Sequence, residues 1–83
     1  MRLAKFVKFR EEKFGGVLFE TKSEKVYTLT PTAAAVVQQI QAGCEPADIA
    51  PRLAERFEAA EGDIARDVAA LLDDLRAKGL VEG

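Results

Sequence analysis

The chain has 83 residues, 48% of them apolar and 31% charged, with twelve Lys and Arg against fourteen Asp and Glu for a formal charge of −2. That is apolar material for one small core, too little length for a second, and too balanced a charge for a disordered polyelectrolyte or a dedicated nucleic-acid surface. With no histidine and one cysteine, Ser-His and Cys-His nucleophile pairs, an imidazole zinc site and an internal disulfide are all excluded.

The first third reads as β-structure. Val7 and Phe9 alternate with Lys8 and Arg10, the period of a half-buried strand. Gly15-Gly16 follows the charged run Glu11-Glu12-Lys13 and offers the positive φ a turn needs, or a strand entry. Val17-Leu18-Phe19 is apolar on both faces, as a central strand would be, and Thr21–Glu24 reads as a second hairpin loop. Val26-Tyr27-Thr28-Leu29 is a third strand, β-branched and aromatic, at the edge of a three-stranded antiparallel meander.

Three helices follow. Thr30 is an N-cap with Pro31 at the first helical position; Ala33, Val36, Val37 and Ile40 keep helical spacing, and Gly43 ends the helix. Ile49, Leu53 and Phe57 mark a second helix. Its start is either Pro46, which puts Pro51 inside the helix, or an Asp48 cap with Pro51 in the first turn; the second reading avoids a lost hydrogen bond and is preferred. A third helix begins near Glu61–Asp63, with Ile64, Val68, Leu71, Leu72 and Leu75 as its apolar stripe. Gly79 is its C′ residue, and Leu80 sits where a Schellman motif returns an apolar contact to Leu75. The fold class is α+β: a three-stranded antiparallel sheet followed by three helices, winged helix-turn-helix-like, with residues 1–83 as a single domain.

No catalytic constellation emerges. Asp63, Asp67 and Asp74 share part of one helix face and could in principle meet a divalent cation, but a solvated helix face is the ordinary state of such residues. No G-x-x-x-x-G-K-[ST] accompanies Gly15-Gly16, so there is no phosphate loop. Cys44 has Glu45 and Asp48 beside it, which oppose a reactive thiolate, and reads as structural. No apolar run approaches the roughly 20 residues of a membrane span, and Met1–Phe9 lacks the apolar stretch of a signal peptide; a cytoplasmic protein is expected. Charge is segregated: residues 1–30 hold seven basic and four acidic side chains, residues 58–83 three and seven. A winged-helix DNA binder would therefore present Asp63, Asp67, Asp73 and Asp74 to phosphates, which is unfavourable, so no nucleic-acid partner is expected. The aromatics Phe6, Phe9, Phe14, Phe19 and Tyr27 all lie in the β-third, as core or as a surface receiving an added strand beside the open edge. Tyr27→Pro would test that edge if the Tyr27 N–H faces outward. A homodimer through the same edge is the competing use of it.

The order strand, "FGGVLFETKSEKVYTLTPTAAAVVQQI", "DIAPRLAERF", "DIARDVAALLDDLRAKGLVE" resembles the PqqD family, the small peptide chaperones also called RiPP recognition elements. The resemblance runs from about Val7 to Glu82. Phe14-Gly15-Gly16 is more similar to relatives serving other peptide pathways than to members of the PQQ pathway. The resemblance implies a winged-helix-like fold without DNA binding, without catalysis, and with no cofactor or metal. It implies a precursor-peptide leader as ligand, added as a strand beside the third strand and packed on the third helix, and a peptide-modifying partner enzyme, often a radical S-adenosylmethionine (radical SAM) enzyme. Carried onto this chain, the ladder comes from Lys25, Val26, Tyr27, Thr28 and Leu29, and the helix wall from Ile64, Asp67, Val68, Leu71 and Asp74. Lys25 and Arg66 would attract acidic leader residues.

Overall fold

The structure, a computed structural model, describes residues 1–57 and 60–82. Its elements are β1 (Arg2–Leu3), β2 (Val7–Glu12), β3 (Gly15–Glu20), β4 (Lys25–Leu29), α1 (Pro31–Gln41), α2 (Pro46–Phe57), α3 (Glu61–Ala77) and β5 (Val81–Glu82). The three strands read from the sequence are β2, β3 and β4. They form an antiparallel meander in that order, with β4 at one edge, and the three helices follow. β1 and β5 are additional. They pair antiparallel, Leu3 against Val81 and Arg2 against Glu82, and so bring the first and last elements together. Two residues are too few to show a period.

The meander has one covered face. Phe9, Leu18 and Tyr27 stand in one row across the three strands, and Val7 and Leu29 share their side. Leu18, Val7 and Leu29 are buried there against the helices. The opposite face carries Lys8, Phe19 and Val26 in register, with Phe19 at 37% and Val26 at 58% exposure. The central strand is thus covered on one side only, which corrects the expectation drawn from Val17-Leu18-Phe19.

The glycine pair opens β3. The turn is Lys13-Phe14, closed by Glu12 opposite Gly15. Gly15 has φ +140°, and a Cβ there would lie 2.2 Å from the Leu29 carbonyl oxygen and 2.8 Å from the Pro31 nitrogen. Glycine is required because the backbone entering β3 passes against the junction of β4 and α1.

The helix ends agree with the sequence reading. Thr30 is extended and its Oγ1 accepts from the Ala33 N–H at 3.2 Å. Gly43 and Gly79 have φ +86° and +72°. After α1, Gly43 N–H donates to Ile40 C=O and Cys44 N–H to Gln39 C=O; after α3, Gly79 donates to Arg76 and Leu80 to Leu75. Both are Schellman closures. The start of α2 is a correction: the helix begins at Pro46 and holds Pro51 inside it. Pro51 and Ala47 are both exposed, so the turn that loses a hydrogen bond lies on the solvent side of the helix, while Ile49, Ala50 and Leu53 are buried on the other side. Phe57, the last of the spaced apolar residues of α2, is exposed at 36% instead of joining Ile49 and Leu53 in the core, with the Arg56 guanidinium 5.5 Å from its ring. The buried apolar side chains form one cluster, with Leu18, Val36, Val37, Ile40, Ile49, Leu53 and Leu80 fully enclosed. Each such leucine or isoleucine contributes about 1.5–3 kcal/mol. Among the described residues no helix is long and apolar enough to cross a membrane.

Candidate functional site

An open groove of about 510 Å³ lies between β4 and the second half of α3. Leu18, Leu29 and Leu80 form its base; Val26, Tyr27 and Thr28 make one wall and Leu71, Asp74, Leu75 and Lys78 the other. Beyond the end of β4 the surface continues past Thr30, Thr32, Ala33, Leu71 and Asp67.

The apolar stripe of α3 decides which side chains reach this groove. Ile64, Val68, Leu72 and Leu75 are buried in the core, while Leu71, one step around the helix, is half-buried and open to the groove. Of the residues singled out from the sequence, the structure brings Val26, Tyr27, Thr28, Leu29, Leu71 and Asp74 together, with Asp67 on the extension. Lys25 is exposed at the start of β4. Ile64 and Val68, at 6% and 4% exposure, sit in the core instead. Arg66 is paired with Asp63 at 3.2 Å, both exposed, and does not line the groove.

Lys78 was not singled out from the sequence, because it lies just past the last helical residue. Its Nζ is 2.6 Å from the Asp74 carboxylate and 5.5 Å from the centroid of the Tyr27 ring, so it spans the groove mouth from α3 to β4. The i,i+4 spacing of Asp74 and Lys78 was the available signal. Both partners are exposed, so the pair adds little to stability.

The edge of β4 has a definite polarity. In an antiparallel pair, facing residues alternate between hydrogen-bonded and non-bonded. Thr21 N–H donates to Phe6 C=O at 2.8 Å. Stepping from that bonded pair along the register, Phe19, Val17 and Gly15 turn their peptide groups to β2, and Glu20, Leu18 and Gly16 turn theirs to β4. Their partners Lys25, Tyr27 and Leu29 are therefore committed to β3, and the outward N–H and C=O groups belong to Val26 and Thr28. Tyr27→Pro would break the sheet rather than probe its edge.

The turn before β4 is fixed by Glu20. Its carboxylate accepts from Lys22 N–H at 2.9 Å, from Ser23 N–H at 3.2 Å and from the Ser23 hydroxyl. The Ser23 hydroxyl, followed by the two backbone N–H groups and the Lys22 charge, holds its pKa below the ordinary 4.5. Cys44 is buried, with its Sγ 3.6 Å from the Glu45 carbonyl that accepts from it. Among the described residues no three His, Cys, Asp or Glu side chains come together as a metal site.

The family model described as coenzyme PQQ synthesis protein D (PqqD) matches residues 15–81. A solved structure described as lasso peptide synthetase B1 complexed with the leader peptide is 33% identical, covering 99% of this chain and 96% of that one, with a TM-score of 0.85. TbiB1 in complex with the TbiA(beta) leader peptide shares the fold, at 19% identity and a TM-score of 0.89 over 100% of this chain and 96% of that one. SuiB of Streptococcus suis shares it at 21% identity and a TM-score of 0.53, matching 93% of this chain but 21% of that one. No curated protein matches the sequence.

Proposed function

The chain belongs to the PqqD family, and from that premise we propose that it is a non-catalytic peptide chaperone, a single domain that binds the leader of a ribosomally made precursor and presents it to a peptide-modifying enzyme. The observation that carries the reading is the open β4 edge lying directly beside an apolar groove. A strand added there receives main-chain hydrogen bonds from Val26 and Thr28, and alternate side chains enter the groove against Tyr27, Leu29 and Leu71. Affinity comes from the ladder and specificity from the groove wall. The relative that is 33% identical was solved with a leader peptide, which supports the same class of ligand here.

The proposed contacts are Lys25–Leu29, Asp67, Leu71 and Asp74, with Lys78 added. Ile64 and Val68 act from the core by holding α3 in place, and Arg66 stands outside the groove. The partner is proposed as a peptide-modifying enzyme, with a radical S-adenosylmethionine enzyme as the narrower form of that proposal.

The test is titration of leader peptides, taken from small reading frames beside this protein's own, into isotope-labelled protein. Saturable amide shifts confined to residues 25–30 and 67–80 are expected. Shifts with duplex DNA and none with any peptide would overturn the proposal.

A further inference from the structure

We propose that β4 of the free protein pairs antiparallel with β4 of a second copy, about a two-fold axis at Tyr27, and that a bound peptide displaces this second copy. The inference rests on the reading of β4 as the peptide-binding edge.

Three observations carry it. First, the edge is not blunted. Its five residues contain no proline, its register with β3 runs without a bulge, and Val26 is an exposed apolar side chain on it. Lys25 is its one charge. Such an edge is a template for another strand of the same kind.

Second, the hydrogen-bond polarity is self-complementary. Outward groups must meet outward groups, and here they belong to Val26 and Thr28. A two-fold at Tyr27 places Val26 opposite Thr28 of the second copy and Thr28 opposite its Val26, with every residue of β4 paired. Moving the register by two residues in either direction leaves part of the strand unmatched. The two Tyr27 rings then face each other on the groove side, where an aromatic pair is favourable.

Third, the charges complement each other. In this register Lys25 of the second copy lies opposite Leu29. That is the end of the groove whose surface continues past Thr30 and Thr32 to Asp67. Two-fold symmetry makes the contact twice. At the centre, Lys78 is already paired with Asp74 within its own copy, so no uncompensated cations meet there. Stacking of two copies through the outer sheet face is the less favourable alternative, because it opposes Lys8 on both copies, Arg10 being paired with Glu12 at 2.8 Å.

One strand per copy buries far less than the ~800 Å² per partner of a stable complex, so the pairing is weak, with a Kd on the order of 0.1–1 mM. Weak pairing covers the edge when no peptide is present and yields to one that also fills the groove.

Sedimentation velocity on the full chain, over concentrations spanning that range, tests the proposal. The expected result is a concentration-dependent rise toward the dimer mass. Lys25→Glu or Asp67→Lys alone should weaken the dimer about tenfold, from two exposed pairs lost, and the double variant should recover it. Both residues are exposed, and circular dichroism checks that the variants fold. A synthetic peptide of residues 24–30 should return the protein to monomer. A strictly monomeric protein overturns the proposal, as does a dimer indifferent to both charge changes and to that peptide. A monomer that still shows leader-induced shifts at β4 loses only the dimer; a dimer that binds no leader loses only the chaperone reading.

Discussion

Replacing Val26 by proline, with Tyr27→Pro as its counterpart, isolates the polarity of the β4 edge. The Val26 N–H has no partner within the sheet, so Val26→Pro removes no internal ladder bond, and proline is tolerated at an edge. The expected loss of stability is below about 1 kcal/mol, against a total of roughly 4–12 kcal/mol for a chain of this size. A peptide strand, however, loses one ladder donor and keeps an unpaired carbonyl in a partly covered site. That costs about 1–3 kcal/mol, or a rise in Kd of roughly 5- to 150-fold. Tyr27→Pro behaves in the opposite way. It removes the N–H directed at Leu18, the buried residue facing it on β3, and strips the ring from the groove wall. Its cost falls on folding, about 1–3 kcal/mol for the orphaned carbonyl and more for the lost packing. Urea denaturation and calorimetric titration of a leader peptide separate the two effects. A folded Val26→Pro protein with unchanged affinity would refute strand addition at this edge. Equal destabilisation by both variants would refute the polarity read from the Thr21–Phe6 bond.

Gly15→Ala should cost more than about 3 kcal/mol, because its Cβ would sit 2.2 Å from the Leu29 oxygen at φ +140°; an unchanged urea midpoint would show that the close approach is absent. Pro51→Ala should stabilise the protein by about 1–3 kcal/mol by restoring a donor to the Ala47 carbonyl, seen as a higher Tm. Leu71→Ala should weaken leader binding with a modest loss of stability, whereas Leu72→Ala should cost about 2–5 kcal/mol of folding; the reverse pattern would misplace the groove. The Glu20 pKa is lower in the folded than in the unfolded chain, so its contribution is complete above the ordinary value of 4.5 and is lost as pH falls through the depressed folded value. Carbon-detected titration should find Glu20 protonating at lower pH than an ordinary glutamate, and at the ordinary pH once Ser23, Lys22 and their turn are unfolded.

Local chemistry made much of this protein legible. Thr30-Pro31, Gly43 and Gly79-Leu80 act over a single turn of backbone, so their caps follow from residue identity alone. The alternation in β2 and the stripes of α1 and α3 record which faces must leave water, and that is enough to order the sheet and helices. The edge position of β4 followed from chain order. Other features depend on neighbours that sequence does not name. Pro51 stays inside α2 because that side of the helix meets solvent. Ile64 and Val68 are core and Leu71 is groove although all three belong to one stripe, because only the packing of α3 across α1, α2 and the sheet decides which margin of the stripe is left open. Lys78 joins the groove because α3 ends beside Tyr27. Gly15 is fixed by a junction some 15 residues further along the chain. The direction of each β4 peptide group is set by where β2 and β3 begin to pair, so a one-residue change in that register would reverse it. Sequence determined the three strands of the meander, the three helices and most of the faces they bury; tertiary packing added the β1–β5 pair and decided which polar edge and which apolar margin remained free to hold a peptide.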